Sequence, residues 1–127
     1  MCVLVVAVAV HFDFATTESL RTALSLGCRA LHFSGHGKPG GLCFEDGRSG
    51  LQVVSVGALK NFLSAGGISL QFVFVSACYS KEIGEAFVKA GVPHVVCVKV
   101  DAKVRSHSLP LSLAATARLL AACRCTV

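Results

Sequence analysis

The chain has no tryptophan, one tyrosine and only three prolines in 127 residues. Charged residues are also scarce, at 15%, whereas hydrophobic residues reach 54%, and this balance excludes an intrinsically disordered chain or a coiled coil. A basic surface interleaved with aromatic side chains, as in many nucleic-acid-binding proteins, is not apparent, because the eight phenylalanines lie in apolar runs. We expect a protein of single-domain size that does not bind nucleic acid.

A targeting or membrane-spanning segment is also not expected. The apolar run that ends at Val10 lacks the basic residues that open a signal peptide, and valine dominates it where leucine would be usual. It is far shorter than the roughly 20 apolar residues that a spanning helix needs. We interpret this run as a buried strand and expect no membrane association.

Seven cysteines are present, an odd number, and most of them lie in apolar runs without paired spacing. Free cysteine behaves as a small hydrophobic residue, so reduced thiols in a cytoplasmic protein are the simplest interpretation. The one close pair, Cys123 and Cys125, has no second pair to complete a zinc site. We expect no metal and no cofactor.

Strand-like and helix-like segments alternate along the chain. Four apolar runs predict strands, at residues 3–12, 29–34, 70–77 and 93–100, and residues 42–53 read as a small hairpin. The helices between them are expected to begin at Thr16 or Thr17, at Ser55 and at Ser80. Single helices between strands predict right-handed crossovers, a largely parallel sheet and helices on both of its faces.

The C-terminal segment, residues 105–127, differs from the rest because it contains no aromatic residue. Four of the five net positive charges lie in residues 99–127, since residues 1–98 hold seven Lys or Arg against six Asp or Glu. Pro110 suits the first turn of a helix that runs to about Cys123. We therefore divide the chain into residues 1–104 and an atypical C-terminal helix or loosely attached tail, residues 105–127.

Two reactive side chains follow consecutive main strands of the prediction, and they would converge if these strands are adjacent in the sheet. His36 comes after the second strand and Cys78 ends the third, and the carboxyl ends of parallel strands form the usual binding crevice of such sheets. A histidine can act as base toward a thiol, and the helix expected after Cys78 points its positive end toward that thiol. Gly35 and Gly37 leave backbone amides unobstructed for an oxyanion.

Structural explanations for the same residues stay open. A cysteine at the end of a buried strand most often only packs, and His32, inside the second strand, is expected in the core. Residues 35–41 are glycine-rich but no Gly-Lys-Ser/Thr follows, so they do not form a phosphate-binding loop.

Residues 31–37 (LHFSGHG) and 74–80 (FVSACYS) together resemble the CHAT domain, a branch of the caspase-like clan of cysteine peptidases. Residues 42–46 and 84–96 are also similar to that family, and the resemblance covers about residues 20–104. His36 and Cys78 are 42 positions apart, close to the roughly 50 between the two catalytic residues of caspases.

The resemblance implies a caspase-like three-layer α-β-α sandwich with a His36–Cys78 dyad. It implies His36 as general base, Cys78 as nucleophile and the amides of Gly37 and Cys78 as oxyanion donors. The substrate would be a peptide or protein, and TPR-containing regions or proteins would be partners in signalling or regulated proteolysis. The supporting loops would contain Ser34, Gly35, Ser76, Tyr79 and Ser80.

Three departures from the family bear on activity. The family usually has a further strand and helix before this point, it continues with an aromatic-rich helix after residue 104, and its basic-specific relatives carry Asp where Ser76 stands. We therefore expect a domain that is incomplete at its N-terminus and altered at its C-terminus. Two alternatives to a peptidase remain: an inactive CHAT-fold interaction module and a flavodoxin-like domain for a small ligand.

Overall fold

The computed structural model describes residues 8–65, 69–97 and 118–124. In chain order the elements are β1 (Val8–Phe14), α1 (Thr17–Ser25), β2 (Ala30–Ser34), β3 (Gly37–Lys38), β4 (Gly41–Glu45), β5 (Leu51–Ser55), α2 (Val56–Ser64), β6 (Phe72–Ser76), α3 (Lys81–Lys89), β7 (His94–Cys97) and β8 (Arg118–Arg124). The predicted strand residues 3–7 and 98–100 lie outside the described ranges.

Within the described ranges the main sheet has five strands, in the order β1-β8-β2-β6-β7. Strands β2, β6 and β7 are parallel neighbours, whereas β8 pairs antiparallel with both β1 and β2. A smaller antiparallel sheet contains β3, β4 and β5. The predicted α/β class with parallel strands is therefore confirmed, as is the hairpin, whose strands are β4 and β5.

The first two helices begin where the sequence predicts. Thr16 caps α1 reciprocally with Ser19: each side-chain oxygen accepts the other residue's backbone N–H at 3.0 Å. Ser55 caps α2 by accepting the N–H of Ala58 at 3.1 Å. No helix in the described part of the chain combines the length and the apolar character needed to cross a membrane.

Helix α3 begins at the predicted place but by a different route. Ser80 occupies the N-cap position with φ −83° and ψ 2°, not the extended backbone of a usual cap, and its side chain makes no capping hydrogen bond. The expected N-cap position of Ser80 is therefore confirmed, whereas a capping hydrogen bond from its side chain is not formed. The preceding turn explains this difference. Tyr79 adopts a left-handed conformation with φ 53°, and the backbone is therefore already near helical geometry at Ser80.

The core lies on one face of the main sheet. Alternate residues of β2 and β6 are buried there and belong to one apolar cluster with residues of all three helices. The strand members are Leu31, Phe33, Val73 and Val75, and helix members include Leu20, Leu59 and Ile83. Arg21 of α1 stacks 4.8 Å above the ring of Phe62 in α2, so neighbouring helices also touch.

The opposite face of the sheet carries no helix among the described residues. It contains the other residues of the same strands, all exposed or half-buried: Ala30, His32, Ser34, Phe72, Phe74, Ser76, His94 and Val96. The expectation of helices on both faces is thus wrong for the described part of the chain. The reason is strand order: β2, β6 and β7 succeed one another in a single direction, and right-handed crossovers that advance in one direction put their helices on the same face.

The C-terminal segment also differs from the prediction where it is described. Residues 118–124 form β8, so the helix expected to reach about Cys123 is wrong over those positions, and the proposed helix start at Pro110 lies outside the described residues. Strand β8 lies between β1 and β2, which joins part of the expected tail to the main sheet. Pairing with two strands overrides the weak strand preference of a segment rich in Leu and Ala.

Candidate active site

The candidate site lies at the carboxyl ends of β2 and β6. The two strands are parallel neighbours in a register that pairs Ser34 with Ser76 at their last positions. One step beyond, Gly35 N–H donates to the carbonyl oxygen of Ser76 at 3.1 Å. This bond continues the ladder into the loops, so the segments that carry His36 and Cys78 leave the sheet side by side.

His36 occupies the short link between β2 and β3 and is exposed. Its carbonyl oxygen accepts the N–H of Cys43 in β4 at 2.9 Å. Next to it, Gly37 pairs with Leu42 in the small sheet. The backbone on both sides of the imidazole is therefore held by strands, β2 on one side and the β3–β4 pair on the other.

Gly37 brings the histidine loop against the cysteine loop. A Cβ atom at Gly37 would overlap the carbonyl oxygen of Cys78 and lie 3.0 Å from its carbonyl carbon. Contacts of that kind with backbone cannot be relieved by rotating a side chain. Only glycine fits there, and the backbone adjoining His36 consequently touches the backbone of Cys78.

Cys78 itself is half-buried and lies in the turn between β6 and α3. The next residue, Tyr79, has φ 53°, one of two non-glycine residues with positive φ in the described chain, and its side chain is 41% exposed. A left-handed conformation at a bulky residue costs of the order of 1–3 kcal/mol and is concentrated at functional sites. Cys78 is thus left half-buried on one side of this turn, whereas Ser80 on the other side is fully buried.

The first turn of α3 follows directly, so its free amides lie near the end of β6. Glu82, in that turn, also faces the small sheet: a Cβ atom at Gly40 would lie 3.9 Å from its carboxylate. The loops at this end of the sheet therefore carry an exposed imidazole and a half-buried thiol, and the first turn of a helix follows the thiol. Such a set can support attack by a thiol on a polarised carbonyl group.

Other histidines and cysteines lie elsewhere. The His32 ring packs edge-on against Phe74 with centroids 4.8 Å apart, and its buried Nε2 atom has no hydrogen-bond partner in the described structure. Cys28 and Cys43 are buried. Within residues 8–65, 69–97 and 118–124, no group of three or more His, Cys, Asp or Glu side chains could hold a metal ion.

Comparisons of the chain with protein-family models, with curated protein sequences and with solved structures give no match.

Two features of the site region are not evident from residue types. The left-handed backbone at Tyr79 has no signal in the sequence, since tyrosine is an unusual residue for it. The close approach at Gly37 has a weak one, because a glycine beside a candidate histidine is compatible with backbone contact.

Proposed function

We propose that the chain is a caspase-like cysteine peptidase domain of the CHAT type, with Cys78 as nucleophile and His36 as general base. The observation that supports this most is the contact of Gly37 with the Cys78 backbone, together with the parallel pairing of β2 and β6. If His36 and Cys78 were unrelated surface residues, a glycine that lets their two loops come into contact would not be needed.

The reaction would be acyl transfer in two halves. His36 accepts the proton of the Cys78 thiol, and Sγ attacks the carbonyl carbon of a peptide bond to form a tetrahedral oxyanion. Collapse of this species breaks the C–N bond, and the imidazolium returns the proton to the leaving amine. Water, deprotonated by His36, then hydrolyses the thioester and releases a carboxylate and the free thiol.

The surrounding residues would have supporting roles. The amides of Gly37 and Cys78 would stabilise the oxyanion. Ser34 and Gly35 on one loop, with Ser76, Tyr79 and Ser80 on the other, would hold the dyad in position. The described residues would supply the sheet and one helical layer of a caspase-like fold in a cytoplasmic protein, which acts on a peptide or protein substrate alongside TPR-containing partners.

Hydrolysis of a fluorogenic peptide library by the full chain tests this proposal. We expect weak turnover that disappears in Cys78→Ala and falls about 10²–10⁴-fold in His36→Ala, the usual contribution of a general base. A thiol-directed peptide probe, with its electrophile at the position of the scissile carbonyl, should label the wild type and not Cys78→Ala.

Matched controls are available on β7. Cys97→Ser removes another half-buried thiol and His94→Ala another exposed imidazole, and both should leave turnover and labelling unchanged. Turnover that survives Cys78→Ala, or that falls equally in Cys97→Ser, would refute the dyad.

A second candidate function is an inactive interaction module with the same fold. The partly apolar face of the main sheet that no described helix covers favours it, because surfaces of that kind commonly contact another protein. In that case Cys78 would react with the probe no faster than Cys97 does, and the library would remain intact.

A further inference from the structure

A groove away from the dyad runs between α3 and β7. Its volume is about 260 Å³ and its lining is mostly apolar. Val95 and Cys97 of β7 contribute to it from one side, and Gly84 and Val88 of α3 from the other. Because β7 is the last strand of the five-stranded sheet, the groove lies beside the edge of that sheet.

The groove depends on a glycine in the helix. A Cβ atom at Gly84 would lie 2.7 Å from Sγ of Cys97 and 3.3 Å from its Cβ, so a larger residue there would require Cys97 to shift or α3 to move away from β7. Gly84 belongs to the stripe of α3 residues that line the groove, spaced at helical intervals from Lys81 to Val88. Val88 is 57% exposed, which leaves an apolar wall open to solvent.

Size and charge both restrict what the groove can hold. Its volume falls below the roughly 300–1,000 Å³ of small-molecule sites, which suits one or two side chains of a longer ligand. Lys81 and Lys89 stand at the groove with one carboxylate, Glu85, whose Oε1 atom lies 3.9 Å from the Lys81 Nζ atom. The local balance is therefore one net positive charge, which favours an acidic ligand.

We propose that this groove binds an extended peptide with apolar residues at alternate positions and acidic residues at its ends. The peptide main chain would pair with the edge of β7 that no other described strand occupies, and its inward side chains would enter the groove between β7 and α3. Strand addition of this kind takes affinity from main-chain hydrogen bonds and specificity from the side-chain groove. The proposal uses the fold alone and is independent of any peptidase activity.

Fluorescence anisotropy of the full chain with a labelled peptide, Glu-Val-Thr-Val-Thr-Val-Glu, tests the proposal. We expect saturable binding that disappears when alternate peptide amides are N-methylated, because the ladder cannot then form. Val88→Glu should abolish binding. Val53→Glu, at a similarly exposed valine of β5, is its control and should bind like the wild type.

Charge reversal provides a second arm. Lys81→Glu with Lys89→Glu should weaken binding of the acidic peptide about tenfold and improve binding of the same peptide with lysine at its ends. Lys60→Glu with Arg48→Glu is the control, at exposed positions outside the groove. In a Cys78→Ala background, bound peptide should also slow maleimide labelling of Cys97.

Three outcomes would overturn the proposal. One is the absence of saturable binding, and another is binding that persists in Val88→Glu or with the N-methylated peptide. The third is a concentration-dependent dimer, seen by sedimentation, that Val88→Glu disrupts while the peptide fails to bind; the groove would then contact a second copy of the chain.

Discussion

Gly37 is the residue on which the candidate site depends most. Gly37→Ala places a methyl group against the Cys78 backbone, so we expect a loss of about 1–3 kcal/mol in the free energy of unfolding and slower labelling of Cys78. Gly57→Ala is the matched control, because Gly57 is exposed in α2 and a Cβ atom there would meet only Ser55 Oγ, at 3.8 Å.

That control should raise the free energy of unfolding by up to about 1 kcal/mol, the helix preference of alanine over glycine. Urea denaturation of both variants measures the two effects. Equal stability of Gly37→Ala and the wild type would show that the two loops do not touch as described.

Cys78 should be the most reactive of the described thiols. Cys28 and Cys43 are 1% and 3% exposed and should react slowly with iodoacetamide in the folded protein. Cys97 is half-buried, as Cys78 is, so the comparison of these two separates activation from simple access. Peptide mapping after labelling at several pH values gives the rates, and equal rates at Cys78 and Cys97 would mean that the histidine loop does not activate the thiol.

At the scale of elements, the turn between β4 and β5 has a built-in acid sensitivity. Hydrogen bonds from the backbone amides of Arg48, at 2.7 Å, and Gly50, at 2.9 Å, hold the pKa of the Asp46 carboxyl below its ordinary value of 3.8. Because the pKa is lower in the folded protein, the ionised carboxylate stabilises the turn at pH values above the ordinary pKa. This stabilisation is lost as the pH falls through the lower pKa of the folded state.

We therefore expect the amides of Arg48 and Gly50 to lose protection as the pH falls below about 4, while amides of β6 stay protected. Hydrogen exchange followed by NMR measures both. In Asp46→Ala the two turn amides should exchange fast at every pH. A turn that is equally protected in Asp46→Ala and the wild type would contradict this role of the carboxylate.

Elements whose signals are local could be predicted from the sequence. Thr16 and Ser55 cap helices as expected, and the β4–β5 hairpin follows from two apolar runs separated by a glycine-containing turn. The adjacency of β2 and β6, on which the candidate site rests, is only a condition of the sequence interpretation, and the structure meets that condition. Strand β8 could not be predicted, because its conformation comes from partners far away in sequence.

At the scale of the whole molecule, β8 holds the sheet together. Strand β1 pairs with β8 alone among the described strands, and β8 also completes the ladder of β2. Deletion of residues 118–127 should therefore release β1 and expose the edge of β2. We expect a lower thermal midpoint by circular dichroism and a tendency to aggregate.

Deletion of residues 125–127 alone is the control, since it leaves every described ladder intact. The same thermal midpoint in both truncated chains would mean that β8 adds nothing to the fold. Hydrogen exchange gives an independent check: residues 118–124 should be protected, in contrast to the fast exchange expected of a loosely attached tail.

The order of the main sheet has a consequence for how the protein is made. Val8 pairs with Arg124, 116 positions later (124 − 8), so the first described strand finds its partner only after all the other described strands have left the ribosome. Until then β1 has an unpaired edge beside the exposed side chains of Val10 and Phe14. Such late, long-range pairing is slow and leaves apolar surface exposed to aggregation. A chaperone that binds the nascent chain would therefore benefit this protein more than a protein whose strands pair in the order in which they are translated.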